Sequence, residues 1–262
     1  MFSVQVLGGG RMADALLGGM LAAGADPSTI SVVEVSAARR EQLGATRAGV
    51  TVLAEPGPAE SIVAATKPGD VAAALRLAAG AAPGLRRVLS IAAGVSTAAL
   101  QAAVPDGVAV IRAMPNTPAL VGAGAAAICA GPTATEADLD WADDLLSAVG
   151  AVVRVPEASM DAVTGLSGSG PAYVFLIAEA LIDAGVLAGL PRDTADRLAR
   201  QTLLGAAQLL AASDEGPQDL RAAVTSPGGT TAAGLAQLER HAVRAAVMDA
   251  VAAAAARSAE LG

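Results

Sequence analysis

Aromatic residues, cysteine, histidine and lysine are all scarce in this sequence of 262 residues, and each shortage excludes a class of protein. Phe, Trp and Tyr together make up 2% of the chain, so the core must be built from Ala, Val, Leu and Ile. The only cysteine, Cys129, rules out an internal disulfide and a multi-cysteine metal site, and its apolar surroundings favour a small core residue. The only histidine, His241, argues against a histidine-based zinc site or a Ser-His-Asp triad and is interpreted as a surface or interface residue. We therefore expect no metal.

Basic charge is also short, with 17 Lys and Arg against 25 Asp and Glu and a net charge of −8. The chain has neither a basic stripe nor an aromatic platform, so we expect no nucleic acid partner. The first residues lack the basic segment of a signal peptide. The uncharged stretch 113–135 contains Pro115, Pro118 and Pro132, which a membrane-spanning helix would tolerate poorly. The sequence predicts a cytoplasmic protein with no membrane partner.

The first half of the chain alternates short β-branched runs with Ala- and Leu-rich helical stretches. Such alternation is typical of an α/β fold, with a mostly parallel sheet covered by helices. The predicted strands are 3–7, 31–35, 50–53, 62–65, 88–91, 108–112, 125–129 and 152–155.

The pattern changes at Pro156, after which no strand is indicated. The predicted helices there are 160–184, 192–212, 217–224 and a long one over 231–261. We therefore expect two domains, 1–156 with the sheet and 157–262 all helical.

A glycine-rich segment follows the first predicted strand and opens the first predicted helix. Gly8, Gly10 and Ala13 occupy the G-x-G-x-x-G/A positions, and Arg11 and Met12 between them are further expected cofactor-binding residues. Glycines there allow a tight turn and a close approach of the backbone to a pyrophosphate, which binds at the helix N-terminus. The pattern predicts a dinucleotide-binding domain of the Rossmann type, although an ordinary glycine-rich turn would look the same.

The choice of dinucleotide depends on the end of the second strand. Glu34 could bind the ribose hydroxyls of NAD, as an acid at a strand tip commonly does. If Val35 continues the strand, however, Ser36 lies at the tip with Arg39 and Arg40 beyond it, and a hydroxyl with cations suits a 2′-phosphate. The sequence favours NADPH, with NADH possible, whereas the arginines could also form a solvated helix face.

A second glycine-rich turn, SPGGTT at 226–231, introduces a helix in the C-terminal half. Backbone amides at a helix N-terminus bind anions, and hydroxyls bind polar ligand atoms. The alternative is that the two threonines merely cap the helix.

Four segments in this order resemble the pyrroline-5-carboxylate reductase family. They are ATKP at 65–68, RAMPNTP at 112–118, GLSGSGPAY at 165–173 and VTSPGGTT at 224–231. The resemblance covers essentially the whole chain. It implies an N-terminal Rossmann domain, a helical domain that binds substrate and dimerises, and the NAD(P)H-dependent reduction of 1-pyrroline-5-carboxylate to L-proline, the last step of proline biosynthesis.

The resemblance also implies roles for individual residues. The cofactor would be lined by the segment around Ala93 and by Ala65, Lys67, Pro68 and Asn116. The substrate would bind at the loop from Ser226 to Thr231, with its carboxylate at the amides of Gly229 and Thr230 and with Thr231 near the ring nitrogen as the catalytic hydroxyl. A homodimer is expected, in some members assembled further into five dimers.

Two positions depart from the family pattern. Val52 stands where some members have an asparagine, and residues 240–243 lack the glycines and phenylalanine often seen there. The alternatives are a relative of the β-hydroxyacid dehydrogenases or a non-catalytic NADP(H)-sensing module. The former use a lysine on the helical domain, whereas the only lysine here is Lys67; the latter would not need the SPGGTT turn.

Overall fold

The computed structural model describes the backbone of residues 2–261 and the side chains of residues 3–261. The chain forms two compact units. The first runs to Ser169 and includes the C-terminal turns from Ala252, and the second is Gly170–Val251. The division at residues 156 and 157 lies earlier in the chain and stays a prediction.

An eight-stranded sheet forms the centre of the first unit, in the order β3-β2-β1-β4-β5-β6-β7-β8. Neighbouring strands are parallel except β6 and β7, which confirms the mostly parallel sheet. Each predicted strand is present. The strands are β1 Phe2–Leu7, β2 Ile30–Val33, β3 Thr51–Leu53, β4 Ala59–Ala64, β5 Arg87–Ser90, β6 Ala109–Met114, β7 Gly124–Ala130 and β8 Gly150–Arg154.

Helices cover both faces of this sheet, so its inner strands are apolar along their length. One face packs Leu16 and Leu17 against Val6, and the other packs Leu75 and Leu100 around Ile62. The helices are α1 Arg11–Ala22, α2 Ala37–Thr46, α3 Val71–Ala81, α4 Thr97–Gln101 and α5 Glu136–Ser147. Because β1, β2, β4 and β5 run parallel, the loops that follow them lie at the same end of the sheet.

The predicted end of the second strand at Val35 is wrong. β2 ends at Val33, and Val35 is 87% exposed in the following loop. The cause is the side chain of Glu34, which accepts a hydrogen bond from the amide of Ser36 at 2.8 Å and closes a turn. Ser36 then caps α2 by accepting from the amide of Arg39 at 3.4 Å.

The C-terminal half is helical, as predicted. Its elements are α6 Met160–Val163, a π-helical turn Thr164–Gly168, α7 Gly170–Leu187, α8 Arg192–Ala212, α9 Pro217–Ala223, α10 Thr230–Arg240 and α11 Val243–Leu261. In the second unit, α7 and α8 form a hairpin around Ile182, Ala195 and Ala199. A Cβ on Gly185 would lie 2.9 Å from that of Ala195, so the helices cross closely because the residues are small.

The single long helix predicted over 231–261 is also wrong, because α10 ends at Arg240 and α11 begins at Val243. Ala242 between them has a φ of 53°, the only positive φ outside glycine among the described residues. Such a left-handed residue ends an α-helix, and local composition does not reveal it because alanine itself favours helix. The predicted helix over 160–184 is likewise interrupted, by the π-helical turn.

Candidate active site

The glycine loop closes tightly against the neighbouring strand. Gly8 has a φ of +92°, and a Cβ there would lie 2.9 Å from the carbonyl oxygen of Ala65 after β4. Gly10 is the N-cap of α1, and a Cβ on it would find no atom within 4 Å. Gly8 therefore permits close packing against the segment after β4, whereas Gly10 faces open space at the start of α1.

A cavity of about 440 Å³ lies beside this loop, at the point where the strand order reverses between β1 and β4. Ligands bind at this position in doubly wound sheets. The cavity brings together four of the predicted residues, Gly8, Gly10, Ala65 and Lys67. Its volume falls within the range of about 300–1,000 Å³ found for ligand pockets.

Thr66 is a residue of this cavity that the sequence analysis did not assign, although it lies within the ATKP segment. Its Oγ1 is buried and has no hydrogen-bond partner among the described residues. A buried hydroxyl without a partner is costly, and a ligand in the cavity would satisfy it. The open Gly10 amide region and the Thr66 hydroxyl fit a dinucleotide.

A second cavity of about 390 Å³ lies in the first unit and is bordered by Pro68 at the end of the 65–68 segment. Two predicted cofactor residues, Pro68 and Ala93, line it together with Arg257 and Ser258 of α11. Ser258 is buried and donates a hydrogen bond to Asp161 at 2.7 Å. No motif indicated that the C-terminal turns of α11 would belong to the sheet-containing unit.

Ser36 and Arg39 stay predicted ligands of a 2′-phosphate, and both make contacts within the protein. Glu34 and Val35 line the first cavity, whereas Ser36 and Arg39 do not. The hydroxyl of Ser36 serves as the cap of α2. The guanidinium of Arg39 contacts the carbonyl oxygen of Gly9 at 2.6 Å instead.

Three further predicted cofactor residues have distinct surroundings. Arg11 is exposed at the first position of α1, and Met12 packs partly against the core. Asn116 is 9% exposed, and its amide group donates to the carbonyl of Ser167 at 3.0 Å and accepts from the amide of Ala125 at 2.8 Å. Asn116 thus joins two segments within the first unit.

The SPGGTT turn lies in the second unit, between α9 and α10. The amide of Gly229 donates to the carbonyl of Ser226 at 3.0 Å, and Gly228 has a φ of +68°. The N-cap of α10 is Gly229, which has no side chain, so Thr230 and Thr231 are the first helical residues rather than caps. The first amides of α10 therefore have no side-chain acceptor from the N-cap and suit an anion.

Comparison with known proteins identifies the family. The chain is 48% identical to the pyrroline-5-carboxylate reductase of Synechocystis over 98% of this chain and 97% of that protein. It belongs to the pyrroline-5-carboxylate reductase family. The family model described as pyrroline-5-carboxylate reductase dimerisation matches residues 157–261, and a model described as NADP oxidoreductase, coenzyme F420-dependent, matches residues 3–94.

Solved structures of pyrroline-5-carboxylate reductases share the fold. The enzyme of Coxiella burnetii is 34% identical with a TM-score of 0.94, covering 100% of this chain and 98% of that one. The enzyme of Plasmodium falciparum, solved with NADP bound, is 30% identical with a TM-score of 0.85 and covers 100% and 98%. This chain is thus similar to these enzymes over its whole length.

A partly buried polar cluster in the first unit involves the arginine of the RAMPNTP segment. Arg112 is nine-tenths buried and contacts Glu157 at 3.3 Å. Burial alone would raise the pKa of the Glu157 carboxyl. Hydrogen bonds from Thr97 and Arg112 outweigh this effect and hold the pKa below its usual value.

Burial raises the pKa of Cys129 to about 11, so the thiol stays protonated and Cys129 is a core residue, as expected.

Proposed function

We propose that this protein reduces 1-pyrroline-5-carboxylate to L-proline, the last step of proline biosynthesis, with NADPH or NADH as the reductant. Full-length similarity to pyrroline-5-carboxylate reductases carries this proposal. The geometry of the SPGGTT turn supports it. The first amides of α10 have no side-chain acceptor from the N-cap, so they suit an anionic ligand.

The substrate carboxylate would bind at the N-terminus of α10. Gly229 offers no side chain to compete for the amides of Thr230 and Thr231. The helix dipole adds about 0.3–1 kcal/mol for an exposed anion and up to ~2 kcal/mol for a partly buried one. The backbone carbonyl of Ser226 accepts a hydrogen bond from the amide of Gly229, which fixes the shape of the turn.

The reduction needs a hydride on the imine carbon and a proton on the imine nitrogen. A bound nicotinamide supplies the hydride. The protonated imine already carries the N–H proton, so the chain needs no strong acid of its own. The hydroxyl of Thr231 would orient this nitrogen by a hydrogen bond, and catalysis would come mainly from holding the two reactants in line.

The dinucleotide would be held in the first unit. Gly8 and Gly10 allow close approach to the pyrophosphate, with Arg11 and Met12 at the start of α1. Thr66 offers a hydroxyl without a partner and Lys67 the one positive charge among the residues that line the first cavity. Pro68, Ala93 and Asn116, predicted from the family, complete the proposed site.

We further propose that the protein is a homodimer formed by its helical half. Apolar side chains on α7 are exposed in the single chain, with Phe175 64% and Leu176 66% exposed. The helical segment Glu157–Leu187 contains an 18-residue window with a mean hydropathy of 1.6, long and apolar enough by composition alone to cross a membrane. A second copy would cover such a surface, as the dimerisation model matched to this half suggests. Assembly of five dimers and a cytoplasmic location stay predictions.

The decisive assay follows the loss of nicotinamide absorbance with 1-pyrroline-5-carboxylate, using NADPH and NADH in parallel. Thr231→Val removes the hydroxyl and keeps the shape, and Thr231→Ser restores it. We expect turnover in the wild type, a loss of roughly 10–100-fold in kcat in Thr231→Val, the size of one hydrogen bond to a charged group, and recovery in Thr231→Ser. No consumption of either cofactor by the folded wild type would refute the proposal.

A further inference from the structure

The central glycine of the cofactor loop is held at both ends of its backbone. Its amide donates to Oε2 of Glu34 at 2.9 Å, and its carbonyl accepts from Nε of Arg39 at 2.6 Å. A Cβ on Gly9 would meet Leu43 and lie 3.2 Å from the same Glu34 oxygen. The segment after β2 therefore packs directly onto the loop and fixes its conformation.

The carboxylate of Glu34 is fixed through both of its oxygens. Oε1 accepts from the amide of Ser36 at 2.8 Å while Oε2 holds the Gly9 amide. Its partners are neutral amides, and no ion pair to Glu34 occurs among residues 3–261. Glu34 also lines the cavity beside the glycine loop. A fixed negative charge thus lies directly at the tip of β2.

The arginines nearest to this carboxylate are already engaged. Besides Gly9, Arg39 contacts Gln42 at 2.7 Å and Asp14 at 3.2 Å. Arg40 donates to the carbonyl oxygens of Glu34 and Val35 at 2.8 and 2.9 Å. A 2′-phosphate near Glu34 would meet a like charge, and each of the three nitrogens of the Arg39 guanidinium already donates to an acceptor within the protein.

We propose that Glu34 sets the ratio of NADH to NADPH affinity and that Arg39 is a positioning residue of the glycine loop. The acid after the second strand of such folds accepts a hydrogen bond from the ribose 2′-hydroxyl. The same carboxylate repels a 2′-phosphate, so NADPH binds less tightly than it would without Glu34. This inference rests on the proposed use of a nicotinamide cofactor and names the residue that tunes it.

The test measures equilibrium binding of NADH and NADPH by nicotinamide fluorescence, without substrate. Glu34→Gln keeps an oxygen that can accept from Gly9 but removes the charge. Glu41→Gln makes the same change at an exposed position of α2 that does not line the cavity. We expect Glu34→Gln to shift the ratio of the two Kd values toward NADPH by about tenfold or more, equivalent to ~1.4 kcal/mol. Glu41→Gln should leave the ratio unchanged.

Arg39→Ala separates the two roles possible for this arginine. If Arg39 positions the glycine loop, its loss weakens NADH and NADPH binding by similar factors and leaves the ratio of the two Kd values unchanged. Weakening of NADPH alone would show that Arg39 binds the 2′-phosphate, as the sequence suggested, and would overturn its positioning role. An unchanged ratio in Glu34→Gln would overturn the role of Glu34.

Because these measurements need no imine, they remain informative if the enzyme reduces a different substrate. Binding of neither cofactor by the wild type would instead refute the proposed function. Circular dichroism of each variant establishes that it is folded, and Arg39→Lys replaces Arg39→Ala if the latter does not fold.

Discussion

Glu157 accepts two hydrogen bonds from Thr97, one from its backbone amide at 2.7 Å and one from its hydroxyl at 2.5 Å. The same carboxylate contacts the buried guanidinium of Arg112 at 3.3 Å. The loop before α4, strand β6 and the start of the helical half are thereby joined at one side chain.

Replacing Glu157 with Gln should destabilise the protein by about 1 kcal/mol at pH 7, because Arg112 loses a charged acceptor. The loss of stability is small because the Glu157 side chain is 36% exposed and solvent screens the pair. The pKa of Glu157 is lowered on folding. The carboxylate therefore contributes fully to the free energy of unfolding above its ordinary pKa of 4.5, and this contribution is lost as the pH falls through the folded-state pKa. Urea unfolding at pH 7 and at lower pH should show a difference from the wild type that shrinks in acid.

Glu136→Gln is the control for that experiment. Glu136 pairs with Arg154 at 3.2 Å, but its side chain is 84% exposed. Its replacement should change stability very little. A difference between Glu157→Gln and the wild type that is independent of pH would contradict the lowered pKa.

Gly229→Val should abolish imine reduction and leave cofactor binding intact. A Cβ at this position would overlap the hydroxyl of Ser226 and crowd the first amides of α10, where the carboxylate is proposed to bind. Steady-state kinetics and NADPH fluorescence distinguish the two effects. The control Gly44→Val adds the same side chain where a Cβ meets nothing within 4 Å. Wild-type turnover in Gly229→Val would remove the turn from the site.

Ala246→Asp should dissociate the proposed dimer and abolish activity. Ala246 is exposed on α11 in the single chain, so the change does not disturb a core. In a helical interface, however, it would bury an unpaired carboxylate. Light scattering measures the mass, and Ala99→Asp, at an exposed position of α4, is the control. A monomeric wild type with full activity would defeat the prediction.

Ala242→Gly should stabilise the protein by about 1 kcal/mol, the typical cost of a left-handed conformation for a residue with a Cβ. Glycine adopts the φ of 53° found here without that cost, although it gains more freedom on unfolding. Thermal unfolding at fixed protein concentration should show a higher Tm. Ala255→Gly, inside α11, is the opposite control and should lower it. A lower Tm in Ala242→Gly would mean that the break between α10 and α11 differs in solution.

Local patterns were enough to predict most elements of this protein. Burial on both faces makes the parallel strands read as short apolar runs, so all eight could be located. Pro191 just before Arg192 set the start of α8, which runs to Ala212 as predicted. The order of the four motifs identified the family, because turns that must meet a ligand use few residue types.

The sequence could not determine what depends on residues far apart in the chain. The carboxylate of Glu34 accepts from the amide of Gly9, 25 residues away, and the role of Arg39 is set by a contact across 30 residues. The partnerless hydroxyl of Thr66 and the place of Ser258 beside Asp161 are likewise products of packing. Periodicity and propensity reflect interactions between residues that are close together in the sequence. Which acceptor a charged side chain finds is decided only when tertiary contacts bring that acceptor within about 3 Å.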